Sequence, residues 1–182
     1  MPKFKRLLSF LLALCALLPV TSASFFTAEA IAPFPSVSAR AAILTLDDGE
    51  TVIYNKDANV RLPMASTTKI MTALVAAELA SFDTPITVDA QAVGTEGSSV
   101  YLVAGEVLTL EQLLYALLLE SANDAAVALA EHIFGSEAAF VARMNERASE
   151  LGMRNTSFEN TNGLDDTVTS HLTSARDRKS VV

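Results

Sequence analysis

From Thr67 to Ala80 the chain runs without Gly or Pro through Lys69-Ile-Met-Thr-Ala-Leu-Val-Ala-Ala-Glu-Leu. Most of these residues are good helix formers, and so apolar a helix must bury most of its surface. Pro63 lies just upstream, which places the helix start beside Ser66. Its opening, Ser66-Thr67-Thr68-Lys69, therefore sets a hydroxyl and an amine one turn apart at the mouth of a core-forming element.

The other elements follow from patterning. Ala41–Leu46 reads as a strand, Asp47-Asp48-Gly49-Glu50 as a hairpin turn and Thr51–Asn55 as the returning strand. Ile86–Val88 and Val100–Val103 are expected as short strands or extended loop. Thr109 and Gln112 form a capping box that opens a helix over Leu110–Leu119. Ser121–Asp124 interrupts the apolar pattern, and Ala125–Phe134 resumes it as a helix. Ser136 caps a further helix, Glu137–Leu151, with Phe140, Val141, Met144, Ala148 and Leu151 on one face and Gly152 at its stop. Asn155–Thr169 reads as loop. Strands at the start and helices in the middle give an α/β (α+β) domain whose antiparallel hairpin is marginal without further strands.

The first 30 residues read as an export signal. Lys3, Lys5 and Arg6 precede the apolar run Leu7–Val20, and small residues follow, with cleavage expected after Ala30. The only cysteine, Cys15, lies inside that run, so the exported chain has no disulfide. Such a chain fits a bacterial extracytoplasmic location. A formal net charge of −8, made more negative by removing the basic leader, argues against nucleic acid and gives no attraction to anionic lipid.

Two constellations carry chemistry. Residues at i and i+3 of a helix have Cβ atoms about 5–6 Å apart, so a neutral Lys69 can take the proton of Ser66. The helix N-terminus then favours the oxyanion formed beside Ser66. The bland alternative is a capping serine and a solvated lysine. In Ser121-Ala122-Asn123, the Ser121 hydroxyl relays a proton to a leaving amine, while Asn123 grips a substrate carbonyl and Lys69. The bland alternative makes Ser121 a turn residue and Asn123 an N-cap. His132 and His171 read as structural, and neither has metal-ligand spacing.

Beyond these motifs, the chain carries Arg61-Leu-Pro-Met-Ala-Ser-Thr-Thr-Lys-Ile-Met-Thr-Ala-Leu, Glu96-Gly-Ser-Ser, Leu117-Leu-Leu-Glu-Ser-Ala-Asn-Asp-Ala-Ala, Met144-Asn-Glu-Arg-Ala, Leu151-Gly-Met and Asn162-Gly-Leu. Over about 41–177 it resembles the serine-type D-alanyl-D-alanine carboxypeptidases, the low-molecular-weight penicillin-binding proteins. The resemblance implies a β-lactamase/transpeptidase-like fold. It also implies Ser66 as nucleophile on the terminal D-Ala-D-Ala bond of a peptidoglycan stem peptide, Lys69 as general base, Ser121 as proton shuttle and Asn123 as substrate-orienting amide. β-Lactams would acylate Ser66 as substrate mimics, with no metal or cofactor. The intact protein would act outside the cytoplasmic membrane, with peripheral membrane association.

The departures are specific. The family's Lys-Thr-Gly strand does not occur in this sequence, and Ala122 stands where many members have Gly. The expected division is a signal over 1–30, a partial catalytic domain over 31–177 and a non-native tail over 178–182. Such a chain is expected to turn over poorly, having lost a cleft wall and an oxyanion donor. A class A-type β-lactamase would want Ser-Asp-Asn and a deacylating Glu-x-x-Leu-Asn loop. A secreted muropeptide-binding fragment without turnover is the non-enzymatic alternative.

Overall fold

The structure, a computed structural model, describes residues 36–164 and 169–181. The expected export signal and part of the 155–169 loop lie outside the described residues. Strand β1 (Ala42–Thr45) turns back antiparallel onto β2 (Val52–Lys56), with the register shifting between Leu44 and Thr45. Asp48 stabilises the turn by accepting from the N–H groups of Glu50 and Thr51. Among the described residues this hairpin is a sheet of two strands, and Leu44, Leu46, Val52 and Ile53 remain exposed.

Helix α1 (Thr68–Leu79) forms where its composition places it, preceded by a tight 3-10 turn over Ala65–Thr67. Strand β4 (Pro85–Thr87) pairs antiparallel with β5 (Val107–Thr109). Val100–Val103 is therefore not a strand. Its N–H groups are turned onto side chains instead, and the true partner of β4 is a segment of three residues, too short for alternation to reveal.

Helix α2 (Leu110–Leu119) starts at the expected capping box. Helix α3 (Asn123–Phe134) begins two residues earlier than its apolar pattern suggests, because Asn123 and Asp124 use their side chains on a neighbouring loop rather than as caps. Ser136 caps α4 (Glu137–Glu150), and Gly152, at φ +74°, ends that segment in the left-handed conformation.

Three elements were not apparent in the sequence. Strand β3 (Leu62–Pro63) pairs with β6 (Leu172–Thr173), and α5 (Ala175–Arg178) follows. A strand of two residues carries no period to read.

The core lies among the helices. Met71 and Val75 of α1, Leu110, Leu113 and Leu117 of α2, and Phe140 and Met144 of α4 are all buried against α3. Helix α3 is buried from Asn123 through Ala130, and its alanines at 125, 126, 128 and 130 let three helices approach one backbone. Helix α4 is amphipathic as expected. Phe140, Met144 and Ala148 face inward, and Arg143 and Arg147 pair with Glu150 on the outer face.

Candidate active site

The turn that carries Ser66 is strained and clamped. Ala65 takes φ +45°, in the left-handed region that costs a residue with a Cβ about 1 kcal/mol or more. Its carbonyl accepts from Thr68 Oγ1 at 2.8 Å, and the Met64 carbonyl accepts from Thr67 Oγ1 at 2.6 Å. Thr68 Oγ1 also lies 2.6 Å from His171 Nε2. The Glu159 N–H donates to His171 Nδ1 at 3.0 Å, so Nδ1 carries the lone pair and Nε2–H is the donor to Thr68. His171 is thus structural, as expected, but its structural duty ends on the carbonyl beside Ser66.

Ser66 is exposed at the start of this helix, whereas Lys69 is only 2% exposed. Lys69 Nζ lies 3.3 Å from Ser66 Oγ and donates to the Asn162 carbonyl at 2.8 Å. Burial lowers the Lys69 pKa from its ordinary 10.5 to about 8, because a charge removed from water is disfavoured. At pH 7 roughly a tenth of the amine would then be neutral, against well under a thousandth for a solvated lysine. The capping-serine, solvated-lysine alternative fails on both counts: Lys69 is buried, and its amine faces the hydroxyl.

Gly163 holds this arrangement from the other side. At φ +90°, a Cβ there would stand 1.9 Å from the Ala65 carbonyl oxygen and 2.9 Å from the Ser66 nitrogen. The Asn162–Gly163 backbone therefore supplies the acceptor for Lys69 and presses on the nucleophile turn at once. In the sequence, Asn162-Gly163-Leu164 stands out only through the family resemblance.

Asn123 is not the N-cap that its bland reading made it. It is the first residue of α3 and 4% exposed. Its Nδ2 donates to the Glu96 carbonyl at 2.6 Å, and its N–H to the Ser98 carbonyl at 2.7 Å. The expected grip on Lys69 is not present, since the two hydrogen bonds of Lys69 go to Ser66 and Asn162. Gly97 packs against Asn123: at φ +90°, a Cβ there would stand 2.6 Å from Asn123 Nδ2 and 3.7 Å from Leu164 Cδ2.

Ser121 is half-buried with φ +56°, and its hydroxyl makes no hydrogen bond among the described residues. The structure thus brings Ser66 and Lys69 into contact and ties Asn123 to the carbonyls of Glu96 and Ser98. Ser121 precedes Asn123 by two residues and makes no side-chain bond to Ser66 or Lys69 among the described residues. Among the described residues there is no cluster of side chains suited to a metal ion.

At the far end of the chain, Arg178 donates through Nη2 to the Thr67 carbonyl at 3.0 Å. Its Nη1 is buried and has no partner among the described residues, and burial lowers its pKa.

Known proteins carry the same arrangement of elements. The peptidase S11 family model, D-alanyl-D-alanine carboxypeptidase, matches residues 27–181. The D-alanyl-D-alanine carboxypeptidase DacF of Bacillus subtilis is 42% identical over 144 residues, which is 76% of this chain and 36% of that protein. The crystal structure of the D-alanyl-D-alanine carboxypeptidase from Mycobacterium tuberculosis H37Rv superposes with a TM-score of 0.77 at 36% identity, over 82% of this chain and 56% of that one. Penicillin-binding protein D2 from Listeria monocytogenes, in its ampicillin-bound form, gives 0.70 at 29% identity, over 82% and 62%. The chain therefore spans little more than a third of the length of the Bacillus relative. The incomplete transpeptidase-like fold expected from the sequence is the fold observed.

Proposed function

The chain belongs to the D-alanyl-D-alanine carboxypeptidase family S11, and from that premise we propose that it carries the acylating half of a serine D,D-peptidase site. The observation that supports this most directly is the buried Lys69 amine 3.3 Å from the Ser66 hydroxyl. The substrate is the terminal D-Ala-D-Ala bond of a peptidoglycan stem peptide, outside the cytoplasmic membrane, and β-lactams compete for Ser66.

Neutral Lys69 takes the Ser66 proton as Oγ attacks the carbonyl carbon. The positive end of α1 and the N–H groups of the turn favour the oxyanion. The C–N bond then breaks, Ser121 passes a proton to the departing D-alanine nitrogen, and Asn123 orients the acyl portion. Water hydrolyses the Ser66 ester. Ser121 must rotate its free hydroxyl into line for this step, and Asn123 must share its amide with substrate. Without a Lys-Thr-Gly strand in this sequence, turnover by the chain is slow and acylation is the step to follow. The leader over 1–30, the partial domain over 31–177, the non-native tail over 178–182 and a peripheral membrane association of the intact protein belong to the same proposal. Resequencing the gene tests the tail.

A fluorescent penicillin tests the site. Labelling should be abolished by Ser66→Ala, and its rate should rise about tenfold per pH unit up to about pH 8 and then level, as the Lys69 amine becomes neutral. Absence of labelling, or labelling that Ser66→Ala leaves intact, overturns the proposal. Rapid loss of the label points to a β-lactamase instead.

A further inference from the structure

Thr161, beside the site, is held at three atoms. Its N–H and its hydroxyl both donate to Glu137 Oε1, at 2.9 and 2.7 Å. Its carbonyl accepts from Thr72 Oγ1 at 2.6 Å, and both threonines are fully buried. The next carbonyl along the chain, that of Asn162, is the one that accepts from Lys69 Nζ at 2.8 Å. Thr72 stands one turn after Lys69 on α1, so the helix that presents the amine also grips the loop that receives it.

The local sequence gives Glu137 no reason to reach this loop. An acidic residue in the first turn of a helix ordinarily serves that helix's own N–H groups and dipole. In α4 the cap is already supplied by Ser136, whose Oγ accepts from the Ala139 N–H at 3.3 Å. The Glu137 N–H is taken by Glu131 Oε1 at 3.0 Å, which ties the start of α4 to α3. With its backbone so fixed, Glu137 turns its carboxylate on Thr161. A bond to a charged group is worth about 1.5–3 kcal/mol, enough to offset the 1–2 kcal/mol or so that ordering one residue's backbone costs.

The carbonyl so placed decides what the amine can do. An ammonium group has three donors and no acceptor, and losing one proton leaves two donors and a lone pair. When a fixed carbonyl holds one N–H, rotation about the Cε–Nζ bond stops. The lone pair can then face the Ser66 hydroxyl 3.3 Å away. We propose that Glu137 is a positioning residue for acylation: through Thr161 it holds the Asn162 carbonyl on the Lys69 amine and so aims that amine at Ser66. This inference rests on the acyl-transfer reading above.

The test uses the full chain with Glu137→Ala, which removes the acceptor, and Glu137→Gln, which keeps an oxygen in its place. Two quantities are followed: the rate of fluorescent-penicillin labelling at pH 7, and the Lys69 titration read from its ¹³Cε shift. Glu137→Ala should slow labelling about tenfold, because the amine loses its aim. Its Lys69 midpoint should fall by about half a pH unit, because the ammonium loses an acceptor. A lower midpoint alone would supply more neutral base and speed labelling, so opposite movements of the two readouts separate aim from base supply. Glu137→Gln should stay within about twofold of wild type in rate, with its midpoint unmoved. Thr161→Val loses the hydroxyl bond and keeps the N–H bond; it should show both effects at smaller size, and it carries the test if Glu137→Ala does not fold. Labelling of folded Glu137→Ala at the wild-type rate overturns the inference. So does slowed labelling with an unmoved or raised midpoint, or a Glu137→Gln protein as slow as the alanine variant. A wild-type chain that takes no label overturns the acyl-transfer reading instead, while the Lys69 midpoint still shows whether Glu137 holds the carbonyl on the amine.

Discussion

Burial of the Lys69 amine makes a thermodynamic claim that can be checked without any substrate. In the folded chain its pKa falls from 10.5 to about 8 because the 2%-exposed ammonium has lost its water. Below pH 8 the amine is protonated both folded and unfolded, and folding carries the full cost of burying the charge. Between about pH 8 and 10.5 the folded state releases its proton while the unfolded state keeps it, so stability rises with pH by about 1.4 kcal/mol per unit. Above 10.5 both states are neutral and the gain is complete. The total is about 3 kcal/mol, present above the unfolded pKa and lost as pH falls to the folded one.

Lys69→Met removes the titration while keeping the volume. It also frees the Asn162 carbonyl, which shifts stability by an amount independent of pH. Urea unfolding of both proteins from pH 7 to 10.5 yields a difference curve in which the other titrating groups cancel. That curve, wild type minus variant, should be flat to about pH 8 and climb by about 3 kcal/mol thereafter. A difference that stays level across the whole range refutes the desolvation argument, and with it the supply of neutral base near pH 7.

Gly163→Ala should cost about 3 kcal/mol or more, since its Cβ would meet the Ala65 carbonyl oxygen at 1.9 Å and the φ of +90° adds strain. Urea unfolding reads this directly, and a loss below about 1 kcal/mol would mean that the clamp on the nucleophile turn is soft. Arg178→Leu should raise stability by about 1 kcal/mol, because the buried, unpartnered Nη1 is removed along with a single bond to the Thr67 carbonyl. A destabilised Arg178→Leu protein in the same assay would show that the guanidinium belongs where it sits.

Legibility in the sequence followed the length of the local signal. Helices α1, α2 and α4 were readable because each combines ten or more residues of consistent pattern with a boundary residue of known chemistry. The β1–β2 hairpin was readable from its Asp-Gly turn. Pairs such as Leu62–Pro63 with Leu172–Thr173 join residues more than a hundred positions apart through two residues each, and no local pattern records that. The Ser66–Lys69 contact lay within one helical turn, so spacing alone predicted it. What holds the Lys69 amine in place lay elsewhere: the Asn162 carbonyl and the Gly163 clamp come from a loop that composition marked only as loop.

The same logic explains why Asn123 and Asp124 read poorly. Both residue types favour caps, and at a helix start the local bonds and the long-range ones compete for the same side-chain atoms. In this chain Asn123 gives its amide to Glu96 rather than to its own helix, and Asp124 spends most of its carboxylate on Ser99, Val100 and Leu102. Helix α3 gives up its side-chain cap, and Ala122 stands at that position without one. The lost cap is worth about 1 kcal/mol, whereas a buried Asp124 left with unpaired oxygens would cost several times as much. The fold therefore sacrifices local helix stability to fix the 96–102 loop against the start of α3. A helix start that breaks its own capping rule is, for this chain, the sequence mark of a loop anchored from a distance.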